Sequence, residues 1–323
     1  TCYIQLEKGK TMPMNRVERP IILGIVGDSA AGKTTLAAGV AEILGKDQVV
    51  TVCTDDYHKY DRAQRAENGT SALDLKCNYL DIIENDLNSL RNGKAIIKPI
   101  YSHHDGTFQP AKYVEPKPYI VVEGLLGYST RIMRNNYDVK IYLDPEEALR
   151  VRWKVIRDTT KRGYSEEQVL ASLEKRKDDS PAFIQPQRTF ADMAIQFYRP
   201  EGEEDEVGPG LNVRHTLRPT LPHPDLTSLL DVGANSGISL DLARDKDGKP
   251  VDILDIHGNI ETHRASKLEE LLWALIPEAQ HLRENTRSIE ELEKINRISH
   301  PLMLTQLLVA YHMVKAALGH HAI

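Results

Sequence analysis

Residues 21–38, IILGIVGDSAAGKTTLAA, decide the fold of this chain. The first six residues are apolar and mostly β-branched, which predicts a buried strand. Residues 27–34 fit the pattern G-x-x-x-x-G-K-[ST] at every specified position, and residues 35–38 continue as good helix formers. A buried strand, a glycine-containing turn and a helix in this order predict a phosphate-binding loop in an α/β fold.

Each part of this loop has a physical role in holding phosphate. Gly27 and Gly32 allow the backbone to curl so that N–H groups face inward, at the positive end of the following helix. Lys33 can reach the outer phosphates, and the Thr34 hydroxyl can ligate Mg²⁺. The predicted nucleotide-binding residues are these four together with their neighbours Asp28, Ser29, Ala30, Ala31 and Thr35.

Length, charge and cysteine content narrow the class of protein. The 323 residues are enough for a large core, and acidic and basic residues are interspersed to a formal net charge of −6. This balance argues against nucleic acid and membrane surfaces as partners, so small molecules are expected. The three cysteines have no disulfide or metal-ligand spacing, and no apolar run approaches the ~18 residues of a membrane helix. We expect a cytoplasmic protein.

The pattern up to residue 177 predicts a mostly parallel sheet with helices on both faces. Residues 63–78 are expected to form a loop between these elements. Apolar runs and turn residues predict strands over 48–54, 96–101, 119–122 and 139–143. Apolar spacing and capping residues predict helices over 79–91, from Pro145 to about 161, and over 165–177. Weaker strand and helix patterns follow at 211–217, 251–256, 266–276 and 301–317.

Polar residues at the ends of predicted strands are the candidates for chemistry. Asp55 follows the second strand and can accept a proton from a substrate hydroxyl. Asp56 is an adjacent competitor, and sheet alternation predicts that only one of the two faces the site. Downstream, His58 and Arg62 can hold an anionic group, and Glu123 at the end of the third strand can face a metal or the acceptor.

The helix that begins at Pro145 carries an excess of cations: Arg150, Arg152, Lys154, Arg157, Lys161 and Arg162. Pairs four residues apart, Glu146 with Arg150 and Lys154 with Asp158, predict salt bridges on an exposed helix and explain part of this charge. The remaining excess and the position after a sheet strand favour a lid that closes its arginines over phosphates. A plain solvated helix is the alternative.

These residues resemble the phosphoribulokinases, within the phosphoribulokinase and uridine kinase group. DDYHKYDR at 55–62 is the most specific stretch, because the uridine kinase branch typically has an aromatic-rich continuation after its aspartate. The other matching stretches are GDSAAGKTT at 27–35, ALDLKCNYLD at 72–81, NGKAIIKPIYSHHDG at 92–106, VVEGL at 121–125, IYLD at 141–144, WKVIRDTTKRG at 153–163 and RKDDSPAFIQPQRTFAD at 176–192.

The resemblance implies the transfer of phosphate from ATP to D-ribulose 5-phosphate, with Mg²⁺ required. Asp55 would be the general base, and Thr34 and Glu123 would bind the metal. The other implied catalytic groups are Lys33, Lys154, Arg157 and Asp158. Arg162 and Arg176 would contact the nucleotide, and the implied acceptor-side residues are His58, Arg62, Tyr101 and His103.

The resemblance also predicts the organisation of the chain. We expect residues 1–19 to be a disordered or non-native leader and residues 20–200 to be a P-loop kinase core with its lid. The acidic run EGEEDEVGPG at 201–210 predicts a solvated linker or loop, and residues 211–323 a smaller α+β extension packed on the core. A homodimer is expected.

The sequence departs from the plant-type pattern at one position, and it leaves alternative activities open. Plant-type relatives carry a cysteine at the position of Ala31, so Cys53 lacks its usual disulfide partner and dithiol control by that route is not expected. A kinase of the same group acting on another sugar phosphate is the nearest alternative, followed by a kinase for a nucleoside such as uridine. A nucleotide-binding regulator without turnover is more distant, because Lys33, Thr34, Asp55 and Glu123 are all present.

Overall fold

The computed structural model describes residues 3–5, 11–13, 18–227, 237–289 and 299–319. Within these ranges an eight-stranded sheet forms the centre of the molecule, in the order β11-β12-β10-β9-β8-β3-β7-β4. The strands are β1 (Tyr3–Gln5), β2 (Thr11–Pro13), β3 (Ile21–Gly27), β4 (Val49–Cys53), β5 (Ile96–Tyr101), β6 (Phe108–Val114), β7 (Tyr119–Gly124), β8 (Val139–Leu143), β9 (Met193–Tyr198), β10 (Asn212–Leu217), β11 (Ile238–Arg244) and β12 (Pro250–Ile256).

Within this sheet the neighbouring strands β4, β7, β3, β8 and β9 run parallel, whereas β10, β12 and β11 continue it antiparallel. Parallel neighbours need crossover connections, which helices provide. The helices are α1 (Lys33–Leu44), α2 (Arg62–Glu67), α3 (Leu80–Arg91), α4 (Arg131–Asn135), α5 (Glu147–Arg162), α6 (Glu166–Lys175), α7 (Thr262–Ala274) and α8 (His300–Ala317). The predicted fold class, a mostly parallel sheet with helices on both faces, is confirmed.

Strand β3 explains why both faces of the sheet are covered. Leu23 and Ile25 point into one hydrophobic cluster with residues of α1, α7 and α8, while Ile22 and Val26 point into a second cluster with residues of α3 and α4. A strand that is buried on both faces reads as a continuous apolar run rather than an alternating one. The continuous apolar run IILGIV therefore reflects the burial of β3 on both faces of the sheet.

The register of the parallel strands brings the predicted site residues to one edge. Ile25 of β3 and Cys53 of β4 both pair with Glu123 of β7. The phosphate loop follows β3 directly, and Asp55 follows β4 after one residue. The loop, Asp55 and Glu123 thus lie together at the carboxyl ends of the strands, where ligands bind in open α/β sheets.

The prediction of a plain loop over 63–78 is wrong. Helix α2 begins at Arg62, with Asp61 as its N-cap and a reciprocal capping box between Asp61 and Gln64. A 3₁₀ turn, Leu75–Cys77, follows later in the same segment. The D-x-x-Q capping pattern was present in the sequence, but the short helix lacks the apolar periodicity that usually reveals one.

Strands β6, β9 and β11 and the short helix α4 were not predicted. Strand β6 pairs with β5 in a separate antiparallel hairpin, and six of its seven residues are exposed, so its sequence shows no core-facing alternation. The helix expected from Pro145 begins two residues later, at Glu147, with Glu146 as its N-cap. Pro145 therefore precedes the helix and is not part of its first turn.

The boundary segments also differ in part from expectation. The described leader residues, 3–5 and 11–13, form the antiparallel pair β1 and β2, so a disordered leader is wrong for these six residues. Residues 201–210 connect β9 to its hydrogen-bonded neighbour β10, which makes them a loop between adjacent strands rather than a linker. Across the described residues, none of the helices has the length and apolar character needed to span a membrane.

Candidate active site

The phosphate loop takes a backbone shape that its small residues permit. A Cβ atom on Gly27 would lie 2.5 Å from the Leu143 carbonyl oxygen, so β3 and β8 can approach only with glycine there. Gly32 has φ of +94° and Ala30 has φ of +66°, both in the left-handed region. Gly32 is also the N-cap of α1 and offers no side-chain cap, so the first N–H groups of the helix remain available to an anion.

Side chains from distant segments hold this loop. The Lys33 ammonium donates to the carbonyl oxygens of Gly27 and Asp28, both at 2.8 Å. From α5, Arg150 donates to the Ser29 carbonyl oxygen at 3.0 Å. The hydroxyl of Ser180 donates to the Asp28 carboxylate at 2.5 Å. Sequence reasoning assigned neither Arg150 nor Ser180 to the loop, because both contacts span more than 120 residues.

Thr34 and Glu123 form a pair of oxygen donors beside the loop. The Thr34 hydroxyl lies 3.1 and 3.0 Å from the two carboxylate oxygens of Glu123. Burial raises the pKa of Glu123, and Lys33 and the Thr34 hydroxyl oppose this shift. Mg²⁺ prefers oxygen ligands and is usually held by one or two carboxylates together with substrate phosphates, so this pair fits Mg²⁺.

Asp55 and Asp56 lie in a 3₁₀ turn, Thr54–Tyr57, rather than on an extended strand. One carboxylate oxygen of Asp55 accepts the Leu125 N–H at 3.0 Å. Both oxygens of Asp56 are occupied, one by the Tyr101 N–H at 2.8 Å and the other by Lys98. The two neighbours therefore differ in the oxygens that remain free of partners among the described residues, and the turn and its contacts cause this difference rather than sheet alternation.

Gly124 permits the close approach of this turn to β7. Its φ is +155°, and a Cβ atom there would lie 1.9 Å from the Thr54 hydroxyl and 3.0 Å from the Asp55 carboxylate. A larger residue would displace the turn and with it Asp55. Burial is the main cause of the pKa shifts of Glu123, His58 and His103, and the charge of Asp55 also acts on all three groups.

The predicted acceptor-side residues gather around one tyrosine. The Tyr101 ring makes edge contacts with His58 at 4.8 Å and His103 at 5.1 Å between ring centroids. Its hydroxyl accepts a hydrogen bond from the buried Arg65 at 2.6 Å. Arg62 donates to the His103 carbonyl oxygen at 2.7 Å. Tyr101 is thus held in place by Arg65, a residue that sequence reasoning missed, and it orders the two histidines.

Charge in this acceptor group comes mainly from arginine. Burial lowers the pKa of His58, with opposing contributions from Asp55 and Asn78. Partial burial also lowers the pKa of His103; Asp55 opposes this shift, and the charge of Arg162 adds to it. Both rings therefore favour the neutral form near pH 7, and Arg62 is the permanent cation of the predicted acceptor set.

Helix α5 carries a cluster of charges centred on Asp158. Its carboxylate accepts from Lys154 at 2.7 Å and from Arg157 at 2.8 Å, and Arg162 lies 3.3 Å away. Burial alone would raise the pKa of Asp158, but these hydrogen bonds lower it overall. Arg157 also donates to the Ser29 hydroxyl at 3.2 Å. The helix therefore presents its cations to the phosphate loop, which favours the lid over a solvated helix.

One of the two predicted salt bridges on this helix is wrong. Lys154 pairs with Asp158 as expected, but Arg150 pairs with Glu147, at a spacing of three residues. Glu146 pairs instead with Arg199 beyond β9. The N-cap position turns Glu146 away from the helix surface, which explains the exchange of partners.

Two further predictions concern Arg176 and the cysteines. Arg176 is exposed at the end of α6, and among the described residues its side chain has no hydrogen bond or ion pair with a site residue. Cys53 and Cys77 are both free thiols. Burial and the neighbouring carboxylates raise the pKa of Cys53, which disfavours its reactive thiolate form.

Known proteins are similar in sequence to most of this chain. A profile of the Phosphoribulokinase / Uridine kinase family matches residues 22–201. The chain is 32% identical over 273 residues to phosphoribulokinase from Synechocystis sp., covering 80% of this chain and 81% of that protein. It is 34% identical over 236 residues to chloroplastic phosphoribulokinase from Triticum aestivum, covering 68% of this chain and 58% of that protein.

A solved structure adds support for the fold. Phosphoribulokinase from Rhodobacter spheroides superimposes with a TM-score of 0.58 at 17% identity, covering 83% of this chain and 99% of that one. At 17% sequence identity the structural match supports the fold alone. The family profile and the cyanobacterial relative carry the assignment: this chain belongs to the phosphoribulokinase/uridine kinase family.

Proposed function

We propose that the protein transfers the γ-phosphate of ATP to a hydroxyl of D-ribulose 5-phosphate and forms ribulose 1,5-bisphosphate, with Mg²⁺ as cofactor. The observation that carries this proposal is the strand register that brings the phosphate loop, Asp55 and Glu123 to one edge of the sheet. The Thr34 hydroxyl contacts Glu123 beside the phosphate loop, and the charge of Asp55 acts both on Glu123 and on the acceptor-side rings of His58 and His103. A nucleotide and an acceptor can therefore meet at Asp55.

The residues of the chain divide the work of such a transfer. The N–H groups at the start of α1 and Lys33 bind the phosphates of the nucleotide. Asp55 takes the proton of the attacking hydroxyl as the new O–P bond forms and the bond to ADP breaks. Thr34 and Glu123 would hold Mg²⁺, which would supply positive charge against the transferred phosphate. Lys154 and Arg157 on α5 add positive charge at the loop and exclude water when the lid closes.

The acceptor side favours an anionic sugar over a nucleoside. Arg62 is a permanent cation that lies beside His103, and the charge of Arg62 also acts on Arg162 of the lid. A guanidinium group recognises a phosphate monoester through paired, charge-assisted hydrogen bonds. Uridine has no such group, and a different sugar phosphate is therefore the nearer alternative.

The decisive experiment measures ADP release with Mg·ATP and a panel of acceptors: ribulose 5-phosphate, ribose 5-phosphate, ribulose and uridine. The proposal predicts the highest kcat/KM for ribulose 5-phosphate. A higher value for ribose 5-phosphate would point to the alternative sugar phosphate, and a preference for uridine would overturn the acceptor assignment. ATP hydrolysis or binding without any acceptor turnover would indicate the regulator.

A homodimer in the cytoplasm, expected from the sequence, belongs to the same proposal. Light scattering of the purified protein tests the dimer, since a monomer or a larger assembly would give a different mass.

Omitting Mg²⁺ from the assay should abolish turnover if the Thr34 and Glu123 pair holds the metal.

A further inference from the structure

A backbone bridge holds His58 against Asn78. The two residues form an isolated antiparallel bridge, flanked by hydrogen bonds from the Lys59 N–H to the Cys77 carbonyl oxygen and from the Tyr79 N–H to the Tyr57 carbonyl oxygen, at 2.8 and 2.9 Å. His58 is 4% exposed and Asn78 is 3% exposed. The side chains of both residues are therefore fixed relative to each other by the backbone.

The surroundings of Asn78 determine which end of its amide faces the histidine. Its Nδ2 donates to the carbonyl oxygens of Ala72 at 3.1 Å and Asp74 at 2.9 Å. The opposite orientation would place the amide oxygen against these two carbonyl oxygens, with no proton between them. The Asn78 oxygen must therefore face His58 Nδ1, from which it lies 2.7 Å away. Because this oxygen can only accept, Nδ1 must carry the proton.

The other ring nitrogen is left for the acceptor. In a neutral histidine with a proton on Nδ1, Nε2 carries a lone pair and acts as a hydrogen-bond acceptor. Among the described residues Nε2 has no hydrogen-bond partner, and it is not one of the fully buried unpaired atoms. The charge of Asp55, the proposed base, acts on this ring, and Tyr101 packs edge-on against it.

We propose that Asn78 is a positioning residue: it holds His58 as the Nδ1–H tautomer, so that Nε2 accepts a hydrogen bond from a hydroxyl on the carbon chain of the acceptor. This deepens and rests on the proposed function, which supplies the polyhydroxy acceptor. The family resemblance implied that His58 binds the phosphate group of the sugar phosphate. In this proposal His58 instead binds a hydroxyl of the acceptor, and Arg62 binds the phosphate. The carbonyl oxygen of the acceptor cannot be the hydrogen-bond partner of Nε2, because a carbonyl oxygen has no proton to donate.

The charge state of the ring agrees with this geometry. Burial lowers the pKa of His58, and the positive charges of Arg65 and of a protonated His103 lower it further, against Asp55 and Asn78. The neutral ring is therefore the form that prevails near pH 7. At lower pH a second proton would convert Nε2 from an acceptor into a donor and break the proposed hydrogen bond.

The first test observes the tautomer without any need for activity. ¹⁵N-labelled histidine in the full-length protein, with His58→Gln used for assignment, should show a protonated Nδ1 and an unprotonated Nε2 at pH 7.5. In Asn78→Asp the added negative charge should raise the pKa of His58 and yield a doubly protonated ring. Asn135→Asp, at an exposed position on α4, makes the same charge change and should leave the spectrum unaltered. A proton on Nε2 alone in the wild type would overturn the proposal.

The second test uses the sign of the pH dependence of KM. As pH falls through the pKa of His58, KM for the acceptor should rise about threefold to tenfold, the effect of losing one neutral hydrogen bond. His58→Gln, whose amide oxygen can replace the Nε2 lone pair, should remove this dependence, whereas His58→Asn should show the raised KM at every pH. A KM that falls on acidification, and no longer does so in His58→Gln, would show a cationic phosphate contact instead.

These outcomes remain separable from those of the proposed function. If another acceptor in the panel is the one turned over, the KM profile is measured with that acceptor, and the nitrogen spectrum still decides the tautomer. Ribulose serves as a check, because it lacks the phosphate whose own second ionisation, at pKa ~6, would add to the profile. A histidine-dependent profile with ribulose 5-phosphate that is absent with ribulose would contradict a hydroxyl contact.

Discussion

Asp55 and Asp56 are neighbours in the chain but differ in their free hydrogen-bonding capacity. Lys98 and the Tyr101 N–H occupy both oxygens of Asp56, whereas Asp55 has one backbone hydrogen bond, from Leu125. Lys98 is 5% exposed at its side chain, so its charge depends on Asp56 for compensation. At the scale of single residues, one aspartate is available for proton transfer and the other anchors the hairpin of β5 and β6.

We expect Asp55→Asn to fold and to bind ATP but to lose about 10²-fold to 10⁴-fold in kcat, because the proton acceptor is removed. Steady-state assays together with nucleotide titration check this. Asp56→Asn is the matched control. It should lower the free energy of unfolding by about 3 kcal/mol in urea titration, because Lys98 loses its buried partner. Near-normal kcat in Asp55→Asn would contradict the assignment of the base.

We expect Arg62→Ala to raise KM for the sugar phosphate much more than KM for ATP. A lost charge-assisted contact is worth about 1.5–3 kcal/mol, which corresponds to roughly 10-fold to 150-fold. Arg152→Ala, at an exposed position of α5, provides a control that should change neither constant appreciably. Equal increases in both KM values for Arg62→Ala would argue against a role on the acceptor side.

At the scale of elements, one carboxylate on α5, that of Asp158, contacts three cationic side chains of the same helix. The side chains of Lys154, Arg157 and Arg162 are 13%, 28% and 27% exposed, and all three contact the same carboxylate of Asp158. Gly163, with φ of +72°, ends the helix directly after this group. Mutual repulsion among the cations is therefore balanced by one buried acid, and the helix can present them as a set to the phosphate loop.

Asp158→Asn should weaken the contacts that hold Lys154, Arg157 and Arg162 in place. We expect kcat to fall about tenfold or more and KM for ATP to rise, because the cations of the lid lose the geometry that places them over the phosphates. Stopped-flow or steady-state kinetics with varied ATP measure both effects. Glu166→Gln, an exposed acid in the first turn of α6, is the control for a change of one charge on a neighbouring helix. An unchanged KM for ATP would place the cluster outside the nucleotide site.

At the scale of the whole molecule, the C-terminal region completes the sheet and its cover. Strand β10 pairs with β9, and α8 packs with α1 and α7 over the same face of the sheet. Histidines join these parts: the buried His215 on β10 contacts the Thr305 hydroxyl on α8 at 2.9 Å, and the half-buried His223 lies 3.2 Å from the buried His312 of α8. Burial lowers the pKa of His215 to about 4.

The stability of the protein should therefore depend on pH below neutrality. Because the pKa of His215 is lower in the folded than in the unfolded protein, its neutral form stabilises the fold above pH ~6.5, and this contribution is lost as pH falls toward about 4. The loss amounts to about 3 kcal/mol. Urea titrations at several pH values measure it. His215→Gln should weaken this dependence, while His104→Gln, at an exposed position, should retain it.

Much of the candidate site was predictable because its signals are local. Gly27 to Thr34 are consecutive, and the strand before them and the helix after them are encoded by adjacent residues. Asp55 and Glu123 were found because each follows an apolar run, and parallel strands bring their carboxyl ends together. Strands β6 and β11 were not predicted, because their largely exposed residues show no core-facing alternation. Strand β9, Met193–Tyr198, is a mostly buried apolar run that was missed without such a reason.

The contacts that select among candidates were beyond the reach of the sequence. Lys98 neutralises Asp56 from 42 residues away, and Arg65 holds the Tyr101 hydroxyl across 36 residues. Asn78 orients His58 across 20 residues. By itself the sequence determined the phosphate loop, the strands that flank it and the set of polar residues at their ends. Only the tertiary structure decided which of these residues are free to react, because that depends on hydrogen bonds between segments that no local pattern specifies.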